Sequence, residues 1–290
     1  MQYFIELTTS GLVIGSIYGL MAMAFAVVYR ATGLLNFAQG EMGMLTAYIA
    51  WSINSSLGPS PFLLIACVVV VSMLIGLMIE RLIMRRMLGE PMFSAVLVTI
   101  GVGVVIQSLV LMIWGGDAKF VDIGMADSWV TVFGARLRTS QAAVIVTLFA
   151  FLLIAWAVVR FSRFGIAMRA VAEDQRTARL MGISPQKVQA VAWAVSTLLA
   201  ALAGTFFAVI FQLSPTLFAL GLKAFPAAIL GGFDAIIGAG AAGPIIGITE
   251  NLVGGYVSPL LKEIAGFLTI VIVLMVRPFG LFGQRHIERV

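Results

Sequence analysis

The chain has 290 residues, of which 61% are hydrophobic and only 11% are charged, and its mean hydropathy is +1.08. This composition leaves far too little polar surface to cover a water-soluble globule of that length, which excludes a soluble protein and indicates an all-α, multi-pass protein of a bacterial inner membrane. The formal net charge of +5 does not indicate nucleic-acid binding, because the basic residues lie at the ends of apolar runs, where the positive-inside rule accounts for them.

The predicted membrane segments follow from the apolar runs that are long enough to cross about 30 Å of hydrocarbon. These runs lie at 9–29, 62–80, 92–115, 141–160, 186–213, 235–257 and 263–276. The first is not preceded by a basic segment, so we expect an uncleaved span rather than a signal peptide. Two further runs, 36–53 and 217–232, are shorter and interrupted by glycine or proline. We therefore expect about eight or nine segments, depending on whether the interrupted runs span or re-enter.

The positions of the basic residues orient these segments. Thirteen of the eighteen Lys and Arg residues lie at Arg30, in 81–86, in 160–187 and in 277–289. Because cytoplasmic segments carry the excess of Lys and Arg, these regions are assigned to the cytoplasm. This assignment places the N-terminus outside and the C-terminus, with the tail 277–290, inside.

The two interrupted runs occupy matching places, since each follows a long helix and precedes two ordinary spans. The first long helix ends inside at Arg30, whereas its counterpart ends outside at Pro215. Opposite orientation of matching units is typical of an inverted repeat. We therefore expect one membrane domain over 1–290, organised as repeat one at about 8–115, an external loop at 116–140, a connector span at 141–160, a cytoplasmic loop at 161–187 and repeat two at about 186–276.

Broken helices in corresponding positions are where transporters place their pathway, because freed backbone groups need a wet or protein-lined cavity. The sequence predicts such breaks at Gln39-Gly40, just before Glu41, and at Gly231-Gly232, shortly before Asp234. Each acid could line the pathway or hold the break together structurally. The pathway candidates are Tyr18, Asn36, Gln39, Glu41, Asp234 and Glu250.

Small residues form two regular faces. Gly11, Gly15 and Gly19 recur at every fourth position, and 238–247 supplies a second surface of glycine and alanine. Such faces allow helix backbones to approach closely, either within the chain or against a second membrane subunit. In the external loop, FVDI at 120–123 and VTVFGARL at 130–137 predict a short hairpin.

Catalytic motifs are missing. The chain contains no phosphate-binding loop, no His or Cys cluster with metal-ligand spacing and no serine elbow. We therefore expect no enzymatic activity, no cofactor and no metal. Active transport would require either an ion gradient or a separate ATPase.

The basic segment 160–187 holds six of the eighteen Lys and Arg residues and predicts a long cytoplasmic loop. No helix breaker occurs over 165–181, Gly182 stands where a helix C-cap is expected, and Ser184-Pro185 is typical of the start of the next helix. The pattern predicts one discrete cytoplasmic helix.

Two features of this helix are compatible with docking. Arg169 and Glu173 have the spacing of an i,i+4 ion pair. Val171, Ala172 and Ala178 would offer a small apolar face. The alternative is a solvated helix that only lies along the membrane surface.

Three segments of the sequence resemble segments of a known protein family. RAVAEDQRTARLMGI at 169–183 resembles the cytoplasmic loop of ABC importer permeases, in which a short coupling helix docks into a groove of the ATPase subunit. The segments 11–45 and 225–247 are closely similar to the permease family for branched-chain amino acids, of the LivH type. The resemblance extends over essentially the whole chain.

The resemblance implies both partners and a contact surface. The implied partners are a second, homologous permease of the LivM type, two ATPase subunits that hydrolyse ATP, and a periplasmic binding protein that delivers the substrate. The residues that would contact the ATPase are Glu173, Asp174, Gln175, Ala178, Arg179, Met181 and Gly182. The implied substrates are branched-chain amino acids, with urea or short amides as the alternative because related permeases share these motifs. An ATP-independent carrier or channel is the remaining alternative.

Overall fold

The computed structural model describes residues 1–87, 90–123, 128–132, 135–277 and 280–283, and only the backbone of Val132, Ala135 and Glu263. Helices dominate these ranges. They are α1 (Gln2–Thr32), α2 (Gln39–Leu57), α3 (Pro61–Leu82), α4 (Met92–Trp114), α5 (Thr139–Phe161), α6 (Arg163–Glu173), α7 (Gln175–Leu180), α8 (Pro185–Ile210), α9 (Ala219–Gly231), α10 (Ile236–Tyr256) and α11 (Lys262–Val276). Short 3-10 turns lie at Met84–Met87, Pro215–Phe218 and Pro259–Leu261.

Within the described ranges, six helices are long and apolar enough to cross a membrane, namely α1, α3, α4, α5, α8 and α10. Two shorter apolar helices lie at Pro215–Gly231 and Ile264–Val276. The prediction of an all-α, multi-pass membrane protein is confirmed. The apolar side chains of α3, α4 and α5 remain largely exposed along one face, as expected of helices that border lipid or another subunit.

Helix α1 is the centre of the fold, and almost every residue from Val13 to Val28 is buried. It packs against α10 through the two predicted small faces. A Cβ on Gly15 would lie 2.6 Å from the Pro244 Cα, and one on Gly11 would lie 2.7 Å from the Ile248 Cα. Because these neighbours are backbone atoms, only glycine fits. The two small faces therefore pack against each other within the chain.

Helices α1 to α4 and helices α8 to α11 pack in matching ways. Helix α1 packs on α8, α9 and α10, while α8 packs on α1, α2 and α3. Likewise α2 packs on α3 and α4, while α9 packs on α10 and α11. Each helix of the first set has a counterpart in the second: α1 with α8, α2 with α9, α3 with α10 and α4 with α11. Each contact named above has a matching contact between the counterpart helices.

Of the two predicted helix breaks, the one at Gly231-Gly232 is confirmed, because α9 ends at Gly231 and Gly232 has φ of 94°. The other is displaced by a short distance, because α2 begins at Gln39 and the interruption lies just before it, at 33–38. Gly40 is needed for close approach rather than for a break, because a Cβ there would collide with the Phe218 carbonyl oxygen. In the second half, α8 ends at Ile210 rather than at 213, and α9 continues through Pro226.

The loop between α4 and α5 contains a hairpin over the second of the two predicted segments. Strand β1 (Trp129–Val132) pairs with the antiparallel strand β2 (Ala135–Arg138). The FVDI segment forms no strand, although Lys119 just before it pairs with Leu213 through two backbone hydrogen bonds of 2.7 and 2.9 Å. This pairing ties the loop to the link that precedes α9.

Candidate translocation and coupling sites

The first turns of α2 and α9 meet in the interior of the molecule. A Cβ on Gly221 would lie 3.0 Å from the Gly40 amide nitrogen, and Gly40 itself lies against Phe218. Helix α8 closes the junction from the side, since a Cβ on Gly43 would lie 2.6 Å from the Ala200 carbonyl oxygen. The positive ends of the two helix dipoles are therefore brought together at one point.

A buried hydrogen-bond network fastens the start of α2 to the middle of α8. The Asn36 Nδ2 donates to the Gln39 Oε1 at 2.7 Å, and the Gln39 Nε2 donates to the Ser196 carbonyl oxygen at 3.1 Å. The Ser196 hydroxyl donates to the Ala24 carbonyl oxygen on α1 at 2.7 Å. Asn36, Gln39 and Ser196 are each at most 2% exposed, so each amide must find its partners inside the protein.

The link 33–38 also has its backbone amides satisfied by side chains. The Ala38 amide donates to the Asn36 Oδ1 at 3.1 Å, and the Phe37 amide donates to the Thr99 hydroxyl on α4 at 3.1 Å. An interrupted helix inside a membrane requires such partners. Hydrogen bonds of the Asn36 and Gln39 side chains thus fasten this link to α8.

Five aromatic rings, which we call the aromatic plug, pack around the same junction. The Phe225 ring of α9 lies 5.7 Å from Phe25, 5.9 Å from Phe37 and 5.3 Å from Phe233, between ring centroids. Tyr29 lies 5.4 Å from Phe233. These contacts join α1, the link before α2, α9 and the α9–α10 turn into one apolar cluster.

The other pathway candidates lie against different helices. Glu41, in the first turn of α2, faces α4, where a Cβ on Gly103 would lie 3.2 Å from the Glu41 Oε1. Tyr18 is buried in the core around α1. Glu250 is buried beside α11, where a Cβ on Gly266 would lie 2.6 Å from its Oε1.

Asp234 lies at the other end of α10, next to the end of α1. The Arg30 Nη1 donates to the Asp234 backbone carbonyl oxygen at 2.6 Å. Of the six pathway candidates, only Asn36 and Gln39 are joined by a direct hydrogen bond among the contacts described.

Lys223 is a residue that the sequence reasoning missed. It lies in the middle of the short apolar helix α9, and its side chain is exposed, as is that of its neighbour Leu222. A cation within a membrane segment is costly against lipid and usually faces water or another subunit. Lys223 could have been recognised from the sequence, because it is the only charged residue in the interrupted run 217–232.

The loop 161–187 contains two helices rather than the single helix that was predicted. Helix α6 ends at Glu173, and Asp174 adopts an extended backbone with φ of −154° before α7 begins. Asp174 accepts hydrogen bonds of 2.7 Å from the Arg176 amide and from the Thr177 hydroxyl. It is therefore the N-cap of α7, a role for which aspartate competes well against continued helix.

These hydrogen bonds also affect the acidity of the cap. The Thr177 hydroxyl, and after it the Arg176 amide, lower the pKa of the Asp174 carboxyl below its ordinary value. Both donors stabilise the ionised form. The cap is therefore charged at neutral pH.

The predicted end of the coupling segment is confirmed. Gly182 has φ of 81°, and its amide donates to the Arg179 carbonyl oxygen at 3.0 Å. The Ser184 hydroxyl then accepts from the Lys187 amide at 3.4 Å, with Pro185 at the first position of α8. The turn between α7 and α8 thus follows the rules of glycine C-caps and proline-led helix starts.

Burial divides the predicted coupling residues into two groups. Ala178 is 3% exposed and packs, together with Met168 and Val171, into the core that contains α1 and α8. Ala178 and Val171 therefore face the core of this chain in this conformation, whereas Ala172, the third residue of the predicted docking face, is exposed. The small side chains point inward because they allow α6 and α7 to lie flat on the membrane domain.

The outer surface of the loop, which we call the rim, is formed by exposed residues of α7 and the turns on either side. Leu180 is 87% exposed and Met181 is 78% exposed. The other exposed rim residues are Glu173, Asp174, Arg176, Thr177, Arg179 and Gly182; Gln175 is half-buried. A shallow groove of about 360 Å³ adjoins the rim and is lined by Arg179, Gly182 and the residues that follow to Gln186.

The predicted pair of Arg169 and Glu173 is not formed. The Arg169 guanidinium instead donates to the Val159 carbonyl oxygen near the end of α5, at 2.5 Å. In the part of the chain that the structure describes, the ion pair found joins Arg85 to Glu80, at 2.9 Å. Arg169 therefore fastens α6 to the membrane domain, and Glu173 is left on the rim.

Membrane-length helices arranged around a buried junction of helix breaks define a subunit of a membrane transport system. Residues 7–276 match the family described as the permease component of the branched-chain amino acid transport system, and the chain belongs to this family. It is accordingly a multi-pass membrane protein and a permease component.

Curated relatives extend over nearly the same length. The high-affinity branched-chain amino acid transport system permease protein LivH of Escherichia coli K12 is 32% identical over 305 residues, which cover 99% of this chain and 98% of the relative. The permease protein BraD of Pseudomonas aeruginosa is 28% identical, with coverage of 99% and 98%. The permease protein LivM of Salmonella typhimurium is 25% identical, with coverage of 91% and 67%. No solved structure matches the chain.

Proposed function

We propose that the chain is the membrane permease subunit of an ATP-driven importer that moves leucine, isoleucine and valine across the inner membrane. Its partners are a second permease of the LivM type, two cytoplasmic ATPases and a periplasmic binding protein. Membership of the permease family supports the role, and the names of relatives such as LivH and BraD support the substrate.

The observation that carries the ATP-driven role is the rim. Two large apolar side chains, Leu180 and Met181, are held almost fully exposed on a loop whose underside is packed into the core. Exposed apolar side chains surrounded by charged residues are typical of protein interfaces. The basic character of the loop supports a cytoplasmic position, where an ATPase would bind.

The helix breaks are mechanically connected to this loop. Helix α6 packs directly on α1, α5 and α8, and Arg30 lies in the last turn of α1. Arg30 holds the carbonyl oxygen of Asp234, and Tyr29 and Phe233 continue the connection into the aromatic plug. A displacement of the rim would therefore reach the junction of α2 and α9 through rigid helices and direct contacts.

We propose alternating access between two inverted repeats as the transport mechanism. The repeats would be α1 to α4 and α8 to α11, with α5 as the connector, and the exchangeable packing of these helices supports this division. The N-terminus would be outside and the C-terminus inside, which agrees with the distribution of basic residues. Movement of one repeat against the other would separate α2 from α9 and open a substrate pathway beside Glu41 and Lys223.

Urea or a short amide remains the second candidate substrate, because the motifs of the membrane domain do not select one small solute over another. An ATP-independent carrier is less well supported, since the candidate acids lie against different helices: Glu41 against α4, Asp234 beside the end of α1 and Glu250 against α11.

The experiment that tests the proposal is reconstitution into proteoliposomes. The chain alone should transport none of the candidate solutes, whereas the complex with the second permease, the ATPases and the binding protein should take up labelled leucine only when ATP is present. Competition by unlabelled isoleucine, but not by urea or acetamide, is expected. Uptake by the chain alone would contradict the ATP-driven role, and competition by urea would overturn the substrate.

A further inference from the structure

A concave pocket of about 430 Å³ opens between the N-terminal part of α1, the hairpin, the start of α5 and the end of α8. It lies at the opposite end of α1 from Arg30, and hence on the opposite side of the membrane domain from the cytoplasmic loop. Its size falls within the range of small-molecule sites. The pocket is separate from the junction of α2 and α9.

The charges around this pocket have both signs. Glu6 of α1 contributes a carboxylate, and Arg136 and Arg138 of the hairpin contribute two guanidinium groups. The ion pairs of the described residues include none between Glu6 and either arginine. Opposite charges thus line one concave surface without neutralising each other.

The neighbouring hydrogen bonds leave charged atoms available. Glu6 accepts a hydrogen bond from the Gln2 side chain at 3.3 Å. Arg138 uses its backbone amide to bond the Gln141 side chain at 3.0 Å, and its guanidinium lies 5.6 Å from the centre of the Trp129 ring. The side chains of Glu6, Arg136 and Arg138 are all exposed.

An apolar wall completes the pocket. Val13 and Leu137 are buried at its base, and Phe211 is half exposed at its edge. A carboxylate that attracts an ammonium group, guanidinium groups that bind a carboxylate, and an aliphatic wall match the three chemical parts of an apolar amino acid. Urea and short amides have no net charges with which to engage the charged groups.

We propose that this pocket is an external receiving site for the zwitterion of an aliphatic amino acid. The inference rests on the proposed function and adds to it a place and a recognition chemistry. Glu6 binds the α-ammonium group, Arg136 and Arg138 bind the α-carboxylate, and the apolar wall contacts the side chain. Because the charged groups are exposed, each ionic contact is weak, which suits a site that must release its ligand toward the pathway.

Binding is tested on the purified full chain in lipid nanodiscs by saturation-transfer NMR with three probes. These are L-leucine, 4-methylpentanoate, which lacks the amine, and 3-methylbutylamine, which lacks the carboxylate. Glu6→Gln should weaken leucine and 3-methylbutylamine by about two- to fivefold and leave 4-methylpentanoate unchanged. The double variant Arg136→Gln/Arg138→Gln should weaken leucine and 4-methylpentanoate and leave 3-methylbutylamine unchanged.

Matched controls remove a charge of the same sign outside the pocket. Asp117→Asn in the external loop and Lys262→Gln at the start of α11 should leave all three dissociation constants at the wild-type value. Absence of leucine binding to the wild-type chain, or an equal effect of each pocket variant on all three probes, would overturn the proposal.

Uptake by the complete transporter separates this proposal from the proposed function. If the wild-type complex takes up leucine with ATP and the pocket variants do so at the same rate and half-saturating concentration, the receiving site is wrong and the function stands. If the wild-type complex takes up no leucine, the function itself is wrong. If the variants only raise the required concentration of the loaded binding protein, without discrimination among the probes, the pocket is a protein contact and not an amino-acid site.

Discussion

The membrane core and the rim of this protein have opposite kinds of surface. Between α1 and α10, glycines bring two backbones into contact, so that Gly15 has no room for a single methyl group. On the rim, Leu180 and Met181 are large, apolar and almost fully exposed. Close packing in the core requires residues without side chains, whereas the exposed surface of the rim is formed by large side chains. Substitutions in the core should therefore act on folding, and substitutions on the rim should act on partner binding.

The largest effect is expected when bulk is added to the core. A leucine at position 15 would collide with backbone atoms of α10, which cannot move aside without separating the helices, so Gly15→Leu should destabilise the fold by more than about 4 kcal/mol. Size-exclusion chromatography of the detergent-solubilised protein, followed by thermal unfolding, measures this. Gly101→Leu is the matched control, because a Cβ on Gly101 has open space around it. Equal loss of folded protein in both variants would contradict the close-packing argument.

A slightly smaller effect is expected within the coupling loop, on the inner surface of α7. Ala178→Asp places an unpaired charge in the core and should lower the free energy of unfolding by about 3–5 kcal/mol. Leu180→Asp introduces the same group two residues later on the rim and should change it by less than about 0.5 kcal/mol. Thermal unfolding of the two variants side by side gives the difference. A similar loss in both would mean that α7 does not present distinct inner and outer surfaces.

The buried network at the start of α2 should respond to the loss of one partner. Gln39→Leu removes the partners of Asn36 and Ser196, and each buried polar group left unpaired costs about 1–3 kcal/mol. Adding Asn36→Ser to this variant removes the unpaired Asn36 Nδ2, keeps an oxygen that can accept from the Ala38 amide, and should recover part of the stability. Denaturant unfolding of the single and double variants measures the recovery. A double variant that loses the sum of both single effects would show that the two residues are not coupled.

The smallest effect concerns the charge on the cap of α7. The pKa of the Asp174 carboxyl is lowered in the folded state, so its ionised form stabilises α7 above the unfolded pKa, and this contribution is lost as the pH falls through the folded pKa. Hydrogen exchange at the Arg176 and Thr177 amides, corrected for the intrinsic pH dependence, should therefore become faster in acid. In Asp174→Asn, which retains a capping oxygen but does not titrate, corrected protection should not change with pH. Identical pH profiles in the two proteins would contradict the assigned cause.

Much of the fold could be predicted from the sequence because its signals are local. Long apolar runs located the membrane helices to within a few residues at most of their ends, and Gly182 with Ser184-Pro185 located the turn before α8. The interpretation failed where a residue's role depends on a distant neighbour. Gly40 was interpreted as part of a helix break. Its actual role is a close contact with Phe218, which a local pattern cannot reveal because the two residues are far apart in the sequence.

The coupling segment was misjudged for a similar reason. Ala178 and Val171 suggested a docking face because small apolar residues are attractive for binding, but which face of a short helix is buried depends on the domain beneath it. The additional break at Asp174 could have been found, since aspartate followed three residues later by threonine offers local hydrogen bonds that compete with helix. The external pocket could not have been predicted, because Glu6, Arg136 and Phe211 come together only through the fold.

The most direct test of the central claim uses the rim in the complete transporter. The double variant Leu180→Asp/Met181→Asp should fold like the wild type but lose co-purification of the ATPases and reduce ATP-driven leucine uptake at least about tenfold, because it places charges in an apolar interface. Leu260→Asp, at an equally exposed leucine remote from the loop, should retain both. Wild-type uptake and ATPase binding by the rim variant would contradict the claim that ATP hydrolysis is coupled to this permease through the rim.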